Sequence, residues 1–219
     1  MRHLKMLGLA MVAAAALTAI LGANSASATV LCTATETPCS AAHKISPTND
    51  KWLHAVLEKI NSAEPAPAAY LLSTSGEGST TANPLVKCTE STVTSESEEA
   101  GDATHTAKGL VTSLTFGACE GTTVDVLSLG TLEVHHIANT DNGTITSKEA
   151  KVTVVLGVTC TYGSGAGLDI GELTGGPMAT IDINAVVPLI EGSFVCPKTA
   201  VWEARYTVTE PEPLYVEPS

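Results

Sequence analysis

The sequence predicts an all-β, disulfide-linked fold: a β-sandwich or two packed antiparallel sheets, with at most one short helix. Three observations carry this reading. Thr, Val, Gly and Ser are abundant and turn residues recur at short intervals, a composition that suits strands joined by tight connections. Several stretches alternate apolar and polar residues, which buries one face of a strand and leaves the other in water. Six cysteines follow an N-terminus of the kind that directs export, where disulfides form and persist.

Residues 1–28 read as a secretory signal peptide. Arg2, His3 and Lys5 make a basic start, Leu7 to Leu21 is an apolar run, and Ala26-Ser27-Ala28 is a small-x-small cleavage pattern. The apolar run of about 15 residues is short of the roughly 20 that a membrane-spanning helix needs. Cleavage after Ala28 is therefore expected, with the mature chain starting at Thr29. Cys32 does not read as a lipidated cysteine, because Leu31 stands where that processing requires a small residue. No second apolar stretch of membrane length follows, and the terminal "VTEPEPLYVEPS" carries no hydrophobic tail. The expectation is a secreted protein, extracellular or associated with the cell envelope, with no transmembrane segment in the mature chain.

The formal charge is −12, and removing Arg2 and Lys5 with the signal takes it to −14. Such an acidic surface repels phosphates, which argues against nucleic acid and anionic membranes as partners. The mature length suits one sizeable domain or two small ones. The expected division is an N-terminal segment of the β domain with a flexible loop over 29–84, and a main β-sandwich domain over 85–219.

Cys32, Cys39, Cys88, Cys119, Cys160 and Cys196 all lie beyond the cleavage point, and their even number implies three disulfides. Six cysteines allow many pairings, and the sequential set Cys32–Cys39, Cys88–Cys119 and Cys160–Cys196 is the expectation adopted. Close pairs of the C-x₂-C type, which a zinc site would want, do not occur.

Along the chain, "NDKWLHAVLEKI" places Leu53, Val56, Leu57 and Ile60 at helical spacing, with Thr48, Asn49 or Asp50 available as a cap. By pattern this is a short helix. "SAEPAPAA" then breaks it, and "STSGEGSTTANP" reads as a flexible loop. The acidic "SESEEAGD" (95–102) reads as a solvated loop. "GLVTSLTF" (109–116) and "TVDVLSLGTLEV" (123–134) are β-like. In "AKVTVVLGVTC", Val152, Val154, Leu156, Val158 and Cys160 share one face of a strand. Ile181, Ile183 and Ala185 do so in "MATIDINAV", and Trp202, Ala204, Tyr206 and Val208 in "VWEARYTVT". "VKCT" leading to "FGAC", and "VTCT" leading to "FVC", form a weak internal echo. The prolines of "TVTEPEPLYVEPS" impose an extended path, and Leu214-Tyr215-Val216 is apolar enough to dock along the domain.

"SLTFGAC", "CTYG", "TGGPMA" and above all "CPKTAVWEARYTVTEPEPLYV" resemble a group of secreted, β-rich actinobacterial proteins to which no activity is attached. The matching positions are Leu114, Thr115, Phe116, Cys119, Cys160, Thr161, Tyr162 and Gly175 to Ala179. At the C-terminus they are Cys196, Pro197, Trp202, Ala204, Tyr206, Pro211, Pro213, Leu214, Tyr215 and Val216. The resemblance runs from Val86 onward and implies an exported β domain. It also implies an extended rather than helical path for "WLHAVL".

Candidate sites are weak. "HHIANTDNGTITSKE" looks like a metal or catalytic stretch, but His135 and His136 are adjacent on a strand and point to opposite faces. Against a calcium-loop template, Gly143 and Glu149 fall into place, whereas Ala138 and Thr140 stand where carboxylates are required. Asn142-Gly143 is a hairpin signal of the type I′ kind, and Asn142-Gly143-Thr144 is a glycosylation sequon. Gly163, Gly165 and Gly167 lack the spacing of a dinucleotide loop, since Leu168 occupies the third glycine's place. No G-x-S-x-G elbow occurs. Glu96, Glu98, Glu99 and Asp102 cluster as acidic surface. The dispersed carboxylates Glu133, Asp141, Glu149, Asp169, Glu172, Asp182 and Glu203 offer material for a glycosidase pair. Aromatics make up only 4% of the chain, which leaves Trp52, Tyr70 and Tyr162 as the thin basis for a sugar platform. No catalytic, cofactor-binding or metal residue is assigned, and no cofactor is expected. The function expected is a non-enzymatic structural or binding domain outside the cell or at its envelope, the alternative being a secreted hydrolase that uses carboxylates.

Overall fold

The computed structural model describes residues 28–49, 52–57, 68–73, 84–155 and 157–219. The expected signal peptide up to Ser27 and the residues 74–83 of the expected flexible loop lie outside them. The strands are β1 (Thr29–Cys32), β2 (Trp52–Leu57), β3 (Ala69–Ser73), β4 (Val86–Ala100), β5 (Ala107–Cys119), β6 (Val124–Ser128) and β7 (Thr131–His136). They continue with β8 (Gly143–Lys148), β9 (Lys151–Val155), β10 (Thr159–Gly163), β11 (Leu168–Thr174), β12 (Thr180–Gly192), β13 (Thr199–Glu210) and β14 (Tyr215–Pro218). Pro47–Asn49 forms a 3₁₀ turn. The all-β, disulfide-linked architecture is thus what the chain adopts, and its larger sheet closes on itself as an eight-stave barrel.

The ring runs β4-β5-β7-β8-β11-β12-β13, and β2 and β3 share the eighth stave. β3 bridges the start of β4 and the first half of β13, with Ala69 opposite Cys88 and Tyr70 opposite Glu203. β2 bridges the later part of the same strands, with Val56 opposite both Thr92 and Thr207. Closure gives each of these strands a neighbour on both sides along at least part of its length.

β12 is long enough to serve two sheets. Thr180 to Ile183 pair with β11, whereas Leu189 to Gly192 pair with β10. From β10 a short sheet continues through β9 to β6. Two hydrophobic clusters follow from this branching. One is built on Leu173, Ile181, Tyr206 and Val208, the other on Val86, Val154, Tyr162 and Val187. Phe116, Leu168 and Trp202 pack against both.

Disulfides join Cys32 to Cys39, Cys88 to Cys119 and Cys160 to Cys196. The second links register partners on β4 and β5, and the third ties β10 to the segment after β12. The echo between the two cysteine units therefore reflects different connections. The C-terminal tail docks as its apolar trio suggests: β14 pairs with β1, and Leu214 and Val216 are fully buried.

Four local expectations are corrected. Trp52–Leu57 is a strand, as the resemblance implies and the helical spacing does not. Ala55 and Leu57 are buried on one face, so a short apolar run satisfied both periods and pairing with β4 and β13 decided between them. The acidic 95–100 stretch is the end of β4 rather than a loop, since β2 and β5 pair with it and Lys108 neutralises Glu98 at 2.9 Å. "AKVTVVLGVTC" is two strands folded back at Gly157, whose φ of 77° an L side chain rarely adopts. The β7–β8 turn is centred on Asn139 (φ 63°), not on Asn142-Gly143: the Ile137 amide donates to the Asn142 carbonyl, and His136 is already opposite Gly143.

Candidate functional site

Inward-facing side chains of a barrel are set by strand alternation, and β13 supplies the clearest series. Ala200, Trp202, Ala204, Tyr206 and Val208 turn to the interior, while Arg205 and Thr207 face outward. The outward Arg205 meets Asp182 of the neighbouring β12. Opposite register partners on β12 (Ile183, Ala185) and β3 (Leu71) wall in Trp202 and Ala204. Phe116 of β5 meets Trp202 edge to face, with ring centroids 6.4 Å apart.

Where the two clusters meet, these side chains do not fill the space. A cavity of about 120 Å³ remains, lined chiefly by Val, Leu and Ile with Phe116, Tyr162, Trp202 and Tyr206. Among the described residues, no Asp, Glu, Lys, Arg or His lines it. The Tyr206, Tyr162 and Ser147 hydroxyls are hydrogen-bonded to neighbouring groups. Ser91 Oγ donates to the Thr115 carbonyl at 2.7 Å, so the Tyr206 hydroxyl donates to Ser91 Oγ at 2.9 Å. The Tyr162 hydroxyl donates to the Pro197 carbonyl at 3.1 Å, and Ser147 Oγ donates to Ser164 Oγ at 3.2 Å. Burial pushes the Tyr206 phenol up to about 12, against which the Ser91 hydrogen bond works, and burial also raises Tyr162.

One of the lining residues carries a buried polar atom without a partner. Trp202 Nε1 is sealed from solvent and has no hydrogen-bond partner. A buried N–H left in that state costs roughly 1–3 kcal/mol. The other such atom among the described residues is His136 Nδ1, which is not at the cavity. Among the described residues, Thr112 to Cys119 of β5 pair with a strand only on the β4 side, and β6 pairs only with β9. Leu114 and Phe116 on one lip of this unpaired seam, and Val124 on the other, also line the cavity.

Of the dispersed carboxylates, Glu172 and Asp182 are register partners on β11 and β12, where Arg205 is opposite Asp182. Glu133 pairs with Lys148 at 2.6 Å, Asp169 accepts from Thr146 at 2.6 Å, and Glu172 accepts from Asn142 at 3.1 Å. Glu149 occupies a left-handed turn position, φ 61°. His136 Nε2 is bonded to the Thr140 carbonyl at 2.8 Å. Among the described residues, no three of His, Cys, Asp and Glu group as a metal site. Of the aromatics named for a sugar platform, Tyr162 is buried and points inward. Sequence reasoning placed Trp202 and Tyr206 inside; that a cavity lies between them had no signal in the strand pattern. Comparison with protein-family models, curated proteins and solved structures finds no match.

Proposed function

We propose that the protein is an exported, non-enzymatic binding domain that holds a small apolar molecule in the barrel interior, outside the cell or at its envelope. The observation that carries this reading is the cavity: a void of about 120 Å³ with an almost wholly hydrocarbon wall. Close packing leaves few spaces larger than a water molecule, and an apolar void loses contacts on every side. An engineered apolar cavity of roughly 150 Å³ is known to stay dry and to bind benzene, so the volume is of a useful size. Three disulfides suit an oxidising compartment and support the export half of the proposal.

Benzene titration of the purified mature protein tests it. Trp202 lies on the wall, so occupancy should alter its emission saturably, and the melting temperature should rise as free benzene exceeds Kd. A flat response in both readouts up to the solubility limit of benzene would sink the proposal.

A further inference from the structure

We propose that the turn carrying Phe194 and Val195 is a docking point for a phospholipid bilayer with neutral headgroups. This goes beyond the binding reading above and does not depend on it.

Local geometry makes the turn a tip. The Cys196 amide donates to the Ser193 carbonyl at 3.0 Å, so Phe194 and Val195 hold the two central positions of a β-turn. Such positions ordinarily take Gly, Pro, Asn, Asp or Ser, each for a backbone or hydrogen-bonding reason that Phe and Val lack. Packing does not call for them either, since Phe194 is 99% exposed and Val195 is 55% exposed. The turn is anchored at its base, where buried Cys196 is bonded to Cys160 of β10. Val155 adds to the same end of the molecule. It is 41% exposed and opposite Thr159, whose carbonyl oxygen lies 3.5 Å from Cys196 Sγ. Apolar side chains scattered singly over a surface are ordinary. Three of them around one disulfide-anchored turn, with an aromatic ring wholly in water, call for an occupant.

Charge and size select that occupant. Gly192 to Pro197 carry no charged residue, on a chain whose formal charge is −12. A second copy would bring the same negative charge and be repelled. A protein partner in a stable complex covers about 800 Å² of each side, roughly 20–30 residues, far more than one turn and a neighbouring valine present. A bilayer asks for no matching surface: protruding apolar side chains pass below the headgroups and gain by leaving water. The acidic balance rejects anionic headgroups and leaves neutral ones. The turn also adjoins the cavity, because Tyr162 on the cavity wall donates to the Pro197 carbonyl at 3.1 Å. Docking here would bring that wall near the phase in which apolar molecules dissolve.

Flotation of the mature protein with phosphatidylcholine vesicles tests the proposal. The protein should float with the vesicles, and Phe194→Ser should lower its partition at least about tenfold. Met178→Ser, at a side chain 73% exposed in the turn between β11 and β12, should leave partition unchanged. Exchanging half of the phosphatidylcholine for phosphatidylglycerol should weaken binding at low salt. The melting temperature of Phe194→Ser should match that of the unaltered protein, since its ring packs against nothing. Absence of flotation, or equal flotation of Phe194→Ser, would overturn the proposal. So would a lipid-free dimer in analytical ultracentrifugation that Phe194→Ser abolishes, because the turn would then belong to a second copy. Benzene titration reads the cavity separately, so its failure sinks that reading and leaves the vesicle result standing.

Discussion

Tyr206 allows a prediction in which sign and size both follow from its surroundings. The ring is 2% exposed, and its hydroxyl must donate to Ser91 Oγ because the only Ser91 hydroxyl hydrogen goes to Thr115. Ionising the phenol would place a charge out of reach of water, and that burial raises it from 10 to about 12, with the Ser91 hydrogen bond working the other way. In the unfolded chain Tyr206 titrates near its ordinary value. Its raised value in the fold contributes stability that is complete below about pH 10 and is lost as pH climbs toward about 12. At about 1.4 kcal/mol for each pH unit of separation, the loss is about 2–3 kcal/mol.

Tyr206→Phe removes this titration together with one hydrogen bond. At pH 7–9 the variant should be less stable by about 1 kcal/mol. Between about pH 10 and 12 the difference should shrink and then reverse, so that near pH 12 the variant is the more stable by about 1 kcal/mol. Urea denaturation of both proteins at pH 8, 10, 11 and 12 measures this, and subtracting the two cancels the lysines and other tyrosines. Disulfide exchange should not intrude, since no free cysteine is present among the described residues. A stability difference that stays constant from pH 8 to 12 would refute the reasoning.

Three further outcomes are expected. Cys88→Ala/Cys119→Ala opens a loop of sequence separation 31 and should cost about 3–4 kcal/mol in urea denaturation, against about 2 for Cys32→Ala/Cys39→Ala, whose separation is 7. In Gly101→Ala the new Cβ would lie 1.8 Å from the Thr29 carbonyl oxygen, at a φ of 72°. Because the obstacle is backbone, it should cost at least about 2 kcal/mol and unprotect the β1–β14 amides in hydrogen exchange. Val187→Ile adds one methylene to a buried wall residue and keeps β-branching. It should raise stability by about 0.5–1 kcal/mol and weaken benzene binding, and a stability loss would mean that the space at Val187 cannot accept a methylene.

Much of the fold was legible where one face of a strand is buried along its whole length. Trp202, Ala204, Tyr206 and Val208 on β13, and Ile181, Ile183 and Ala185 on β12, show their alternation plainly and do face inward. Legibility fell where another force decided. Leu53, Val56 and Leu57 fit a helix as well as a strand, and only distant pairing partners resolve the choice. Glu96, Glu98 and Glu99 look like solvent-exposed loop because acidic runs usually are, yet two flanking strands draw them into β4. Closure of the ring was not legible at all, since it depends on β2 and β3 each reaching β4 and β13. The cavity was less legible still. Its wall draws single side chains from strands spread over more than half the chain, so its volume is a sum that no local pattern carries.

That the space is empty of side chains requires a physical account. At about 24 cal/mol per Å³, 120 Å³ of enclosed space would cost about 3 kcal/mol, an upper bound for a space that is partly open. A typical domain retains only about 5–15 kcal/mol in total. The remedy is chemically simple, because Ala69, Ala150 and Gly163 lie on the wall among larger neighbours, and one larger side chain at such a position would fill part of the space. Not every small residue there is free to grow. A Cβ at Gly163 would come within 2.5 Å of the Ala150 carbonyl oxygen, so the backbone at that point enforces openness. A small apolar ligand held there, as proposed, would restore the contacts the wall lacks and offset that cost.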